Sequence, residues 1–129
     1  MRFLIVILSA LTLGGCANTP LGNLLNNQRF QTTDDVQASW VGSSLDDLIM
    51  SWGTPQNSFP MAGGAASMIS YEYVWLAGAS GDNPRYSRCV QRFLVEGGII
   101  TKWGISGGCP KQPKNAKSIP DTPVPKPTL

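Results

Sequence analysis

Three cysteines are the residues whose types and spacing offer chemistry. Cys16 follows Met1-Arg2, the apolar run FLIVILSALTL and Gly14-Gly15. A positive start, a short apolar stretch and small residues before the cut make up a secretory signal peptide, residues 1–15. The run is too short to remain as a helix spanning a bilayer. The cut here falls directly before Cys16. The plainer alternative is a free or disulfide-bonded thiol behind an ordinary signal. With Cys16 set aside, Cys89 and Cys109 remain as an even pair, and in an oxidising compartment such a pair is expected to form a disulfide.

Leu13-Gly14-Gly15-Cys16 resembles a bacterial lipobox. That resemblance implies a diacylglycerol on the Cys16 sulfur, removal of the leader and acylation of the new N-terminus. The expected partner of the N-terminus is therefore a membrane. Ala17 takes the place where, under the sorting rule of enteric-type bacteria, aspartate would hold a lipoprotein at the inner membrane. The expected location is the outer membrane, with the domain facing the periplasm.

Other chemistry is poorly supplied. Histidine is absent, which removes the commonest general base and the commonest metal ligand together. Eight carboxylates and a net charge of +2 leave little for a hydrolase, and no basic face for nucleic acid. Asp46 and Asp47 are adjacent on a helix and so diverge, and helix capping explains them better than a catalytic pair. The glycine-rich stretch 61–68 lacks the lysine and helix start of a phosphate cradle. The chain is expected to be no enzyme and to use neither metal nor cofactor.

The cysteines have to be positioned by one small domain. Residues 16–36 form a polar linker with room for a short helix around 21–29. Residues 37–109 hold all four tryptophans and all three tyrosines, so only this stretch can bury a core. Residues 110–129 carry six prolines and four lysines against one aspartate. Proline at that density favours an extended, disordered tail, open to anionic surfaces such as peptidoglycan or lipid headgroups.

Within the domain, Ser43 and Ser44 are N-cap residues for a helix over 44–52, with Asp46 and Asp47 at the positive end of its dipole. Leu45, Leu48, Ile49 and Trp52 recur at helical spacing, Gly53 suits the C-terminal turn and Pro55 stops further helix. Three strands follow: 68–76, 86–95 and 98–105, with 77–85 as a loop and Glu96-Gly97-Gly98 as a tight turn. A two-residue Gly97-Gly98 loop places Cys89 opposite Ser106, so that Gly107-Gly108 could curl Cys109 back onto it. The expected fold is α+β: one short helix, or two, packed on a three-stranded antiparallel sheet, disulfide-stapled, with disordered tails. Trp52 and Trp75 suit the core, while Trp40 and Trp103 are the candidate exposed anchors for a partner.

Trp40-Val41-Gly42, the helix ending in Trp52-Gly53-Thr54-Pro55, the strand Tyr71-Glu72-Tyr73 and the Phe93-Leu94-Val95-Glu96-Gly97-Gly98 hairpin follow a lipobox and a linker. This order resembles the SmpA/OmlA (BamE-like) lipoproteins over residues 38–106. The resemblance implies helices on one face of a three-stranded antiparallel sheet, and an accessory role in assembling outer-membrane barrels through protein contacts. Related folds inhibit other proteins, so a periplasmic inhibitor or binding module is a second expectation. An accessory lipoprotein of a secretion or conjugation apparatus is a third. The partners are envelope proteins in each case.

Overall fold

The computed structural model describes residues 19–129. The leader, Cys16 and Ala17 lie outside them. In chain order the elements are α1 (Pro20–Leu25), β1 (Gln28–Phe30), α2 (Thr33–Ala38), α3 (Leu45–Trp52), β2 (Asn57–Pro60), β3 (Ala66–Ser80), β4 (Asn83–Glu96), β5 (Ile99–Gly107) and β6 (Ser118–Pro120). The class is α+β with antiparallel pairing, but the main sheet has four strands in the order β2-β3-β4-β5, not three. The added strand, β2, pairs Asn57–Pro60 with Ser67–Ser70 and turns the expected loop 61–68 into a hairpin. It is short, exposed and ends in proline, as suits a sheet edge.

α3 forms where its pattern requires. Ser44 Oγ accepts the Asp47 N–H at 3.1 Å, and Gly53 closes the helix at φ +85°. Leu48 is fully buried against Ile69, Tyr71, Phe93, Val95, Ile100 and Trp103. Around this core Trp52 meets Trp40, Tyr71 and Phe93 edge to face, with ring centroids 5.4–5.8 Å apart. Such T-shaped pairs place a positive ring edge on a negative face and add to the burial itself. The Tyr71 hydroxyl donates to Gly53 O at 2.8 Å, tying the sheet to the end of α3.

The β4–β5 hairpin turns on Gly97-Gly98, both at positive φ as the turn requires. Val95 lies opposite Ile100, which is the expected register. Leu94, however, lies opposite Lys102, so Thr101 is an extra residue. Strand alternation alone would send Ile100 and Trp103 to opposite faces; the bulge puts both into the core. It also moves Cys89 from opposite Ser106 to opposite Gly107.

Both tails differ from expectation. The polar linker contains α1, β1 and the start of α2, and the proline-rich tail returns across the domain. β6 pairs with β1, Arg29 with Ile119 at the centre. The chain end reaches the edge of β5: the Trp103 N–H donates to Thr128 Oγ1 at 3.1 Å, and its carbonyl accepts from the N–H groups of Thr128 and Leu129. With β5 also bridged to Ser44 at Ile99, its open edge is covered from Ile99 to Trp103.

One arginine links these tails. The Arg29 guanidinium grips Asp35 through two bonds of 2.6 and 2.7 Å and donates to the Thr122 carbonyl at 2.6 Å. Asp35 also closes a capping box with Thr32. Arg29 holds the Asp35 carboxyl well below the usual carboxylate range; burial opposes this, and the Thr32 donors add to it. A carboxylate with a depressed native pKa stabilises fully above its unfolded value, about 4, and loses that contribution as pH falls further. Asp34, raised by burial and by the Asp35 charge, acts in the opposite sense. Asp35→Asn is therefore expected to cost about 1–3 kcal/mol at neutral pH. Denaturant titrations from pH 7 to 2 should show a shallower acid loss in the variant than in the wild type.

Gln37 is fully buried on α2, and neither of its amide atoms has a hydrogen-bond partner among the described residues. An unpaired buried amide is destabilising, and an apolar side chain of similar shape removes the penalty. Gln37→Met is expected to stabilise the domain by about 1–2 kcal/mol, read as a raised urea midpoint. A lowered midpoint would mean that the amide has a polar role.

Candidate protein-binding surface

β3 and β4 run on past their neighbours as a two-stranded arm. β2 leaves β3 at Ser70, and β5 leaves β4 at Cys89. The arm continues to the turn between Ser80 and Asn83, through the stretch expected to be a loop. On one face Leu76 lies opposite Tyr86 and Val74 opposite Arg88. Val74, Leu76 and Tyr86 are 63 %, 54 % and 65 % exposed, so this face carries apolar side chains with no second layer over them. Arg88 pairs with Glu72 at 2.5 Å beside them, and the carboxylate raises the guanidinium pKa further.

The other face of the arm carries Tyr73 and Trp75. They line a hollow of about 680 Å³, whose far wall is Pro110, Gln112, Pro113 and Lys114. The Trp75 indole N–H donates to Gly108 O at 2.6 Å, which fixes the ring against the wall's root. The wall is stapled there: Cys89 and Cys109 form the expected disulfide, Cα atoms 4.5 Å apart. Gly107 makes the approach possible, since it sits at φ +79° and a Cβ would collide with the Arg88 carbonyl. On the far side, Thr33 holds the wall through Pro110 O and Lys111 O, at 2.5 and 3.0 Å. Burial raises the Tyr73 pKa, which keeps its hydroxyl a neutral donor and acceptor near the hollow.

The arm also presents a strand edge. The Glu72 N–H donates to Gln56 Oε1 at 3.1 Å, on the β2 side, and Ser70 O accepts Gln56 N–H there. By the two-residue period of a strand, the backbone groups of Val74 and Leu76 point the same way, beyond the end of β2. An apolar edge of this kind is a template for a strand from another chain.

The two expected anchors lie elsewhere. Trp103 is 2 % exposed and sits in the core, so it is no surface anchor. Trp40 is half-buried, its ring held edge-on by Trp52. Trp75, expected in the core, lines the hollow instead. Tyr73, Val74, Leu76 and Tyr86 were not among the expected partner contacts. Their signal is available, however: past Glu72 the strand is apolar on both faces, which a half-buried edge strand would not be. Comparison with known proteins returns no matching family model, no matching curated protein and no matching solved structure.

Proposed function

We propose that this chain is a non-catalytic lipoprotein, anchored through Cys16 in the outer membrane and facing the periplasm, that serves as an assembly or structural accessory by holding other envelope proteins. This is the role of the SmpA/OmlA lipoproteins that the sequence resembles. The observation that supports it is the β3–β4 arm, which offers exposed apolar side chains, an open strand edge and a rigid aromatic hollow at one end of the domain. Strand addition along Val74–Leu76 would supply main-chain bonds, and the neighbouring side chains would supply selectivity.

A photo-reactive residue placed at Val74 or Tyr86 in cells is expected to give discrete adducts with one or a few envelope proteins. The same residue at Asp46, on the exposed side of α3, should not. Adding Leu76→Ser should weaken the Tyr86 adduct roughly tenfold, the loss typical of a modest interface anchor. Equal labelling at all three positions would remove the arm as the binding surface. Adducts confined to a soluble periplasmic enzyme would favour an inhibitor over an assembly factor.

A further inference from the structure

The first described element leaves an apolar face bare. α1 starts at Pro20, capped by Thr19 Oγ1, which accepts the Gly22 N–H at 3.0 Å. Leu21, Leu24 and Leu25 recur at i, i+3 and i+4 and so share one face. They are 66 %, 77 % and 76 % exposed, whereas Asn23 turns inward and is buried. The sequence of α1, PLGNLL, contains no charge. The nearest cation along the chain, Arg29, is already engaged by Asp35.

We propose that this leucine face docks on the phospholipid bilayer that carries the Cys16 lipid, with α1 lying in the headgroup layer. The proposal rests on the lipid-anchor reading and goes beyond it, because it fixes how the domain meets the membrane. Three peptide steps separate Cys16 from Thr19, a reach of about 11 Å at full extension. A thiol joined to diacylglycerol by a thioether lies at the headgroup boundary, so this tether holds the start of α1 within about 11 Å of that boundary. The apolar phase within reach of the three leucines is the bilayer itself. Among the described residues no helix is long and apolar enough to cross a membrane, so α1 lies on the surface and does not span it.

The small sheet behind α1 supplies a matching charge. Gln31, just past β1, donates its N–H to Lys117 O at 2.7 Å, which places exposed Lys117 beside the same sheet. The tail expected to meet an anionic surface thus brings one lysine onto the small sheet that follows α1. Acyl chains on Cys16 already secure binding, since two or more chains suffice for stable anchoring. The contribution of α1 is orientation, holding the domain at one angle to the membrane.

The test uses the full chain purified with its lipid and placed in phosphatidylethanolamine/phosphatidylglycerol vesicles. An NBD probe is attached at Leu24→Cys or Leu25→Cys under non-reducing conditions, with Asp82→Cys at the arm's tip as the reference. Co-flotation with vesicles reads the anchor, and the rate of probe reduction by dithionite reads α1. The expected result is flotation, with blue-shifted probes at both α1 positions reduced at least roughly tenfold more slowly than at Asp82, as interfacial burial implies. Flotation with equal rates at all positions would overturn the docking and leave the anchor standing. Failure to float would remove the anchor and the docking with it. Protection that persists without vesicles, in a species of doubled mass, would assign the leucine face to a second copy instead.

Discussion

Trp103→Ala is expected to lower the stability of the domain by about 3–5 kcal/mol. Small domains hold about 5–15 kcal/mol in total, so the variant should sit near the limit of cooperative folding. The size follows from position. Trp103 is 2 % exposed, lies opposite Phe93 across the hairpin and is placed in the core by the Thr101 bulge. Its removal leaves a large cavity among Leu48, Phe93 and Ile100 that rigid strands cannot close. The hydrogen bonds between Trp103 and Thr128 and Leu129 involve its backbone N–H and carbonyl and survive the substitution.

Gly104→Ala serves as the contrast, because its Cβ would fall 2.9 Å from Leu129 Cβ. That substitution should displace the chain end and leave the core alone. Urea titrations followed by far-UV circular dichroism separate the two: a much lower midpoint for Trp103→Ala and a small shift for Gly104→Ala. If Trp103 were instead a surface anchor, its removal would change stability by no more than about 0.5 kcal/mol.

The parts that local chemistry controls were legible, and the parts that tertiary contacts control were not. α3 has a cap, an apolar face and a glycine stop within a dozen residues, and it forms as its pattern requires. The Gly97-Gly98 turn and the cysteine pair are equally local in their signals. β2 is not: NSFP carries no alternation, and it becomes a strand only because β3 offers it an edge. α2 has a legible capping box in Thr32 and Asp35, but a single apolar residue before Ala38. Its stability depends on Arg29 and on the wall residues Pro110 and Lys111, which are distant in sequence. The tail composition forbids helix, yet Ser118–Pro120 still pairs with β1 because three extended residues at an open edge suffice.

The candidate surface was misplaced for a related reason. Trp40, ahead of α3, and Trp103, near the end of β5, are the expected anchors by position along the chain, but that position does not say which face a strand buries. A one-residue bulge decided Trp103. The stretch 77–85 is strand rather than loop: AGASGDNPR is rich in turn formers, yet only the Gly81-Asp82 pair makes the turn. Once β3 and β4 are seen to outrun the sheet, Val74, Leu76 and Tyr86 follow as exposed by topology.

The disulfide joins stability to this surface. Cys89 and Cys109 lie 20 residues apart, and closing a loop of that size lowers the entropy of the unfolded chain by an amount worth about 3 kcal/mol. The double variant Cys89→Ala/Cys109→Ala should therefore lose about 3 kcal/mol, and using both substitutions avoids a stray thiol at the fully buried Cys89 site. In the folded state the effect should be smaller, because Thr33 still holds Pro110 and Lys111, and Trp75 still holds Gly108. The wall of the hollow is thus secured on both sides of the missing bond. The expected outcome is a large drop in the urea midpoint, with photo-crosslinking through Tyr86 retained under conditions where the variant is folded. Loss of the adduct in the folded variant would show that the bond shapes the surface directly. An unchanged midpoint would show that the bridge does not limit the unfolded chain, and the stability of so small a core would then have to come from its packing alone.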